Sequence, residues 1–167
     1  MQIAAPKIMP CLWFDTQAEE AARFYVSVFA DSRIRRISRY GEAGHEVHGR
    51  PAGSVMVVEF DLAGHTFTAL NGGPQFKFSE AVSLQILCDT QEMIDHFWHR
   101  LTDGGQEGPC GWLKDRYGLS WQVVPARLPD MMAAADAQAT DRVMNAVLTM
   151  KKLDLAALER ACAGRVS

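Results

Sequence analysis

A chain of 167 residues, 48% of them apolar, has material for one sizeable core or for two small halves sharing one, and needs no disulfide staples. Its formal charge of -3 and lack of any basic run argue against nucleic acid as a partner, and no apolar run is long enough to span a bilayer. The start M-Q-I-A-A-P-K-I lacks the apolar core of a secretory signal, and Cys11, Cys88, Cys110 and Cys162 stand far apart without a C-x-x-C pair. They read as reduced thiols, buried like small hydrophobes, in a protein expected in the cytoplasm.

Lys7 to Phe14 is apolar and aromatic enough for a buried strand, with Pro10 tolerable near an edge or bulge. Asp15 or Thr16 is then expected to cap a helix whose inner face carries Ala18, Ala21, Ala22, Tyr25, Val28 and Phe29, with Glu19, Glu20 and Arg23 outside. Arg33 to Tyr40 alternates like a strand, Gly41 to Gly53 reads as a mobile glycine-rich loop, and Val55 to Leu62 with His65 to Leu70 reads as a hairpin. After Leu84 to Cys88, a helix from about Gln91 to Thr102 is expected to bury Met93, Ile94, Phe97, Trp98 and Leu101 and to stop at Gly104-Gly105. Gly111 to Lys114 and Leu119 to Pro125 complete that segment. Beyond Arg127 only helical spacing remains, with Asp136 and Asp154 as caps.

This order repeats itself. Asp15-Thr16-Gln17 and then Phe24-Tyr25 answer Asp89-Thr90-Gln91 and then Phe97-Trp98, with a slip of one residue. Downstream, Asp61-Leu62-Ala63-Gly64 answers Asp115-Arg116-Tyr117-Gly118, each a tight turn between two strands. Two echoes in the same order point to a duplicated module of strand, helix and three strands. The expected fold is α+β: one domain over residues 1–126, with module one about 7–74 and module two about 81–126, followed by a helical extension over 127–167.

Two βαβββ modules with Asp-x-x-Gly hairpins resemble the vicinal oxygen chelate superfamily (glyoxalase, bleomycin resistance and dioxygenase proteins). More narrowly, P-C-L-W-F-D-x-Q-A-E-E-A-x-x-F-Y, A-L-N-G-G-P, F-K-F, G-W-L-K-D and Y-G-L-S-W-Q-V-V-P resemble the PhnB-like family labelled 3-demethylubiquinone-9 3-methyltransferase. The resemblance implies that the modules curl into a cup. In metal-dependent members four inward His or Glu side chains, from the first and last strand of each module, hold a divalent ion there. Counting from the helix-opening Asp places the first-strand positions at Ile8 or Met9 and at Val82 or Ser83, and counting from the turns places the last-strand positions at Thr68 and Gln122. None is a His or a carboxylate, so no metal and no other cofactor is expected.

Cys11, Trp13, Thr68, Gln85, Trp112, Ser120 and Gln122 are the candidate ligand-binding residues, because alternation can bring them to the inner faces of the two sheets. The plainer reading makes them polar groups satisfied around buried water. Lys114 and Asp115 either put a cation at the rim beside Trp112 or only flank a hairpin. Cys11 is either a nucleophile or core. His45 and His48 belong to the glycine-rich loop, and His96 and His99 to the outside of their helix. No catalytic residue is assigned. The function read here is binding of an unidentified small molecule by a homodimer, with the tail offering dimer surface. A metal-dependent lyase, isomerase or dioxygenase-like enzyme is the first alternative, and the methyltransferase of the family label the second. The label's weakness is the absence of a glycine-rich turn opening a helix after the first strand.

Overall fold

The computed structural model describes residues 8–133 and 136–164; Lys7, at the start of the expected first strand, lies outside them, as do Arg165 to Ser167 at the end of the expected tail. The chain parts between Lys77 and Phe78 into two compact units.

The first unit runs β1 (Cys11–Phe14), α1 (Ala18–Val28), β2 (Arg33–Arg39), α2 (His45–His48), β3 (Val55–Leu62) and β4 (His65–Asn71), with strand order β1-β4-β3-β2. β1 lies parallel to β4, and the other neighbours are antiparallel. Alternation sorts the sheet into two faces. Leu12, Phe14, Val58, Phe60, Leu62, Phe67 and Ala69 are buried beneath α1, where Tyr25 stacks on Phe60 at 6.4 Å between ring centres. Cys11, Trp13, Val57, Glu59, Asp61, Thr66, Thr68 and Leu70 point the other way and stay partly or fully open.

The second unit repeats the plan: β5 (Ser83–Cys88), α3 (Gln91–Thr102), β6 (Gln106–Glu107), β7 (Trp112–Lys114) and β8 (Ser120–Pro125), in the order β5-β8-β7-β6. β5 is parallel to β8, and β8, β7 and β6 are antiparallel neighbours. Ile86, Cys88, Leu113, Trp121 and Val123 form the buried face with Ile94, Trp98 and Leu101 of α3. Burial of Cys88, with the Asp89 charge beside it, pushes its thiol up to about 11, so it stays protonated at neutral pH. Both expected modules are present, and the fold is α+β.

α4 (Leu128–Met132), α5 (Ala137–Leu148) and α6 (Leu155–Cys162) follow. Asp136 and Asp154 cap α5 and α6 as expected, accepting bonds from the amides of Gln138 and Ala157. Met131, Val143, Val147, Leu153 and Leu158 close over Val124 of β8. The segment before α6 also pairs with the sheet's edge loop, where the amides of Cys110 and Gly111 donate to the carbonyls of Met150 and Lys151 at 2.8 and 2.7 Å.

Several expectations need correction. β1 begins at Cys11, so Ile8 and Met9 precede the strand and are exposed, and Cys11 is exposed too. Neither Asp15 nor Thr16 caps α1. Gln17 stands at that position without a side-chain capping bond, and the buried Asn71 of β4 supplies the acceptor for the Ala18 amide at 2.8 Å. The Gly41–Gly53 loop holds the short α2 because Gly44 and Gly49, both at positive φ, bracket it and the His48 ring packs on Tyr40 at 4.5 Å. Met93 is exposed because it sits one position off the stripe of Ile94, Trp98 and Leu101. β6 and α4 were not foreseen as separate elements.

Candidate functional site

The parallel register of each unit pairs the first and last strands residue by residue. Cys11 stands opposite Thr68, and Gln85 opposite Gln122. These pairs, rather than Ile8, Met9 or Val82, are the neighbours of the last-strand positions; Ser83 is offset by one pleat and reaches Gln122 through its side chain. The Gln122 amide bridges its row, donating to Ser83 Oγ at 2.8 Å and accepting from Gln85 Nε2 at 3.2 Å. The first sheet has a thiol beside a hydroxyl and the second has two neutral amides; neither pair by itself fits a divalent ion, which needs imidazole, thiolate or carboxylate to repay its dehydration. Among the described residues no three His, Cys, Asp or Glu side chains come together in a way that would hold one.

Trp13 has a structural role. Its Nε1 donates to the Gly73 carbonyl at 2.8 Å and its ring meets Phe76 edge-on at 4.9 Å. A Cβ at Gly72 would overlap that ring, which explains why glycine follows Asn71 there. Asp115 is structural as well. It is buried, accepts from the amides of Tyr117 and Leu119, and takes Trp121 Nε1 at 2.8 Å, tying the turn to β8. Asp61 holds the matching turn of the first unit by accepting from Thr66 Oγ1 at 2.9 Å. Partial burial works against its charge, but Thr66, Arg35 and Arg33 outweigh that and keep its carboxyl below the ordinary range.

The second sheet's open face gathers the rest. Trp112 stands opposite Gln122, while Ser120 stands between Ser83 and Lys114. Trp112, Lys114 and Ser120 line a largely apolar pocket of about 490 Å³ whose other walls include Glu80, Gln106, Pro109 and Cys110. That is the volume of an ordinary small-molecule site. Ser120 is fully buried, and among the described residues its hydroxyl has no hydrogen-bond partner. A buried hydroxyl left unpaired costs about 1–3 kcal/mol.

Charges around this pocket are already matched. Lys114 Nζ lies 2.5 Å from Glu80 Oε1, and this bond holds the Glu80 carboxyl below its ordinary range. Glu107 accepts from Trp98 Nε1 at 3.0 Å and lies 3.6 Å from Lys151 Nζ; the indole bond is the main reason its carboxyl is also depressed. The wall at Cys110 has φ +58, rare for a side chain with a Cβ, and Gly111 follows at φ +81. The two bonds from Met150 and Lys151 hold this shape.

The structure therefore brings Gln85, Trp112, Ser120 and Gln122 to one face, two of them in the pocket. It places Cys11, Trp13 and Thr68 on the other unit. Glu80, Gln106 and Cys110 were missed. Cys110 carried a usable signal, because a turn was needed between Gly108 and Gly111, but nothing in the chain announced that Glu80 meets Lys114.

Comparison with known proteins shows the family and the fold. Residues 6–124 match the family model described as 3-demethylubiquinone-9 3-methyltransferase. Among solved structures, a PhnB protein from Bacillus cereus carrying the same description is 37% identical, covering 72% of this chain and 100% of that one, with a TM-score of 0.63. A Pseudomonas aeruginosa protein shares the fold at 18% identity over 71% of this chain and 96% of its own, TM-score 0.58. The fosfomycin resistance protein FosX from Mesorhizobium loti shares it at 12% identity over 80% and 100%, TM-score 0.53. No curated protein matches the chain.

Proposed function

Because the chain belongs to the PhnB-like 3-demethylubiquinone-9 3-methyltransferase family of the vicinal oxygen chelate superfamily, we propose that it binds a small organic molecule on the open face of its second unit, held by protein groups without a divalent ion. The observation that carries this reading is the unpartnered Ser120 hydroxyl lining a 490 Å³ pocket walled by Trp112 and Pro109. Gln85 and Gln122 extend the same face as a polar shelf, and Thr68 with Cys11 forms the corresponding row of the first unit. We place the protein in the cytoplasm as a homodimer; among the described residues no helix is long and apolar enough to cross a membrane.

Native mass spectrometry of freshly purified protein, paired with metal analysis, tests the reading. A co-purifying organic mass without stoichiometric metal is expected. Stoichiometric zinc, nickel, manganese or iron that disappears in Gln122→Ala would overturn it and restore the metal-dependent lyase, isomerase or dioxygenase alternative. Calorimetry with S-adenosylmethionine examines the methyltransferase alternative, which predicts saturable binding. Sedimentation at micromolar concentration checks the assembly, and a species of 18.5 kDa would refute the dimer.

A further inference from the structure

Resting on that reading of the second unit's pocket, we infer that its ligand is an uncharged, mainly apolar molecule carrying one hydrogen-bonding group, which it seats on the Ser120 hydroxyl. Three observations lead there. First, the charges of the lining are already matched. Lys114 is held by Glu80 at 2.5 Å, and Glu107 is engaged by Trp98 and Lys151. An anionic ligand would have to pull Lys114 from Glu80 while facing two carboxylates, and a cationic one would have to displace Lys114 from the same partner. Either exchange loses an existing ion pair to make a similar one, so charge contributes little to binding.

Second, among the described residues the buried side-chain atom of the lining that lacks a partner is neutral. Ser120 Oγ can donate one bond and accept others, so a carbonyl, hydroxyl or amine nitrogen satisfies it. Third, the pocket is already shaped. Its Pro109–Cys110 wall is fixed by the left-handed pair Cys110 and Gly111, which the helical tail grips through the carbonyls of Met150 and Lys151. A preformed apolar cavity binds an apolar body without an ordering cost.

The test uses three dyes on the full-length protein: neutral N-phenyl-1-naphthylamine, its anionic relative 8-anilino-1-naphthalenesulfonate, which adds a sulfonate to the same rings, and cationic thioflavin T. We expect saturable binding of the neutral dye, at least about tenfold tighter than either charged dye, or about 1.4 kcal/mol. Ser120→Leu, which fills the pocket floor, should weaken it by about tenfold or more. Gln106→Trp, on the exposed edge strand, fills the pocket from outside and decides the matter if Ser120→Leu does not fold. Equal or tighter binding of a charged dye, lost in the filling variants, would overturn the neutral class while leaving the pocket a ligand site. No saturable binding of any dye would overturn the ligand site itself. Neutral-dye binding indifferent to both variants, or weakening as protein concentration rises, would overturn the inference by moving the dye elsewhere or giving the pocket to a second copy of the chain.

Discussion

Tyr25 and Trp98 occupy the same place in the two modules: each is the eighth residue of its helix, and each is fully buried against its sheet. Ala21 matches Ile94 and Val28 matches Leu101 in the same way. Aligned on Asp-Thr-Gln, the aromatic pairs slip by one residue; aligned on the helix starts, the slip vanishes. The extra residue lies in the turn. Thr90 caps α3 by accepting from the Met93 amide, whereas α1 starts one residue later, where Asn71 reaches across from β4.

Asn71 should therefore matter more than an ordinary cap. Its side chain accepts from Ala18 and donates to the Val55 carbonyl at 3.1 Å, in a buried position. Asn71→Ala should cost about 2–4 kcal/mol, against about 1 kcal/mol for Thr90→Ala. Asn71→Asp, which keeps only the acceptor, should fall between. Urea denaturation of the three variants gives the ranking, and equal costs for Asn71→Ala and Thr90→Ala would refute it.

Gly111 separates crowding from backbone conformation. Its φ is +81, and a Cβ there would lie 2.8 Å from the Val123 carbonyl oxygen and 3.1 Å from Leu153 Cδ1. Gly118 has φ +85 with open space around it. Gly118→Ala should cost about 1–2 kcal/mol for conformation alone, and Gly111→Ala should add about 1–3 kcal/mol from overpacking against the Val123 carbonyl and Leu153. If chemical denaturation finds the two alike, neither the Val123 carbonyl nor Leu153 crowds the loop.

Ser120→Ala should raise stability by about 1–3 kcal/mol, because it removes a buried hydroxyl with no partner. The same change should weaken binding of a neutral ligand. Thermal melts with and without N-phenyl-1-naphthylamine read both effects, and a variant less stable than the parent would mean that the hydroxyl has a partner in solution.

Glu107 gives a pH signature. Its folded carboxyl is held below the ordinary value of 4.5, chiefly by the Trp98 indole N–H. Its contribution is therefore complete above pH 4.5 and is lost as pH falls through the lower folded value. Glu107→Gln lacks that contribution at every pH. The stability gap between parent and variant should be widest near neutrality and close in acid, as denaturant titrations at pH 7 and pH 3 would reveal. A gap independent of pH would rule the effect out.

Much of the architecture was readable because the local signals agreed. Alternation in β3 and β4, the stripes of α1 and α3, and Asp136 and Asp154 before α5 and α6 each rest on neighbours in sequence. The placement of the candidate residues was readable only in part. Trp112, Ser120, Gln85 and Gln122 follow from counting along strands of period two. The indole bond of Trp13 to Gly73, sixty residues away, was not readable, because a side chain's partner at that distance leaves no local trace.

The sequence by itself determined the two βαβββ modules, the helical tail and the neutral side chains at the last-strand positions Thr68 and Gln122, since each depends on residue type and spacing. Only tertiary structure decided that Cys11 rather than Ile8 or Met9 neighbours Thr68, that Asn71 starts α1, that Glu80 holds Lys114, and that Ser120 is left unpaired in a pocket whose wall the tail fixes. Strand register and pocket walls arise from segments far apart in the chain. Their free energy lies in contacts formed only once the sheets have paired and the tail has docked.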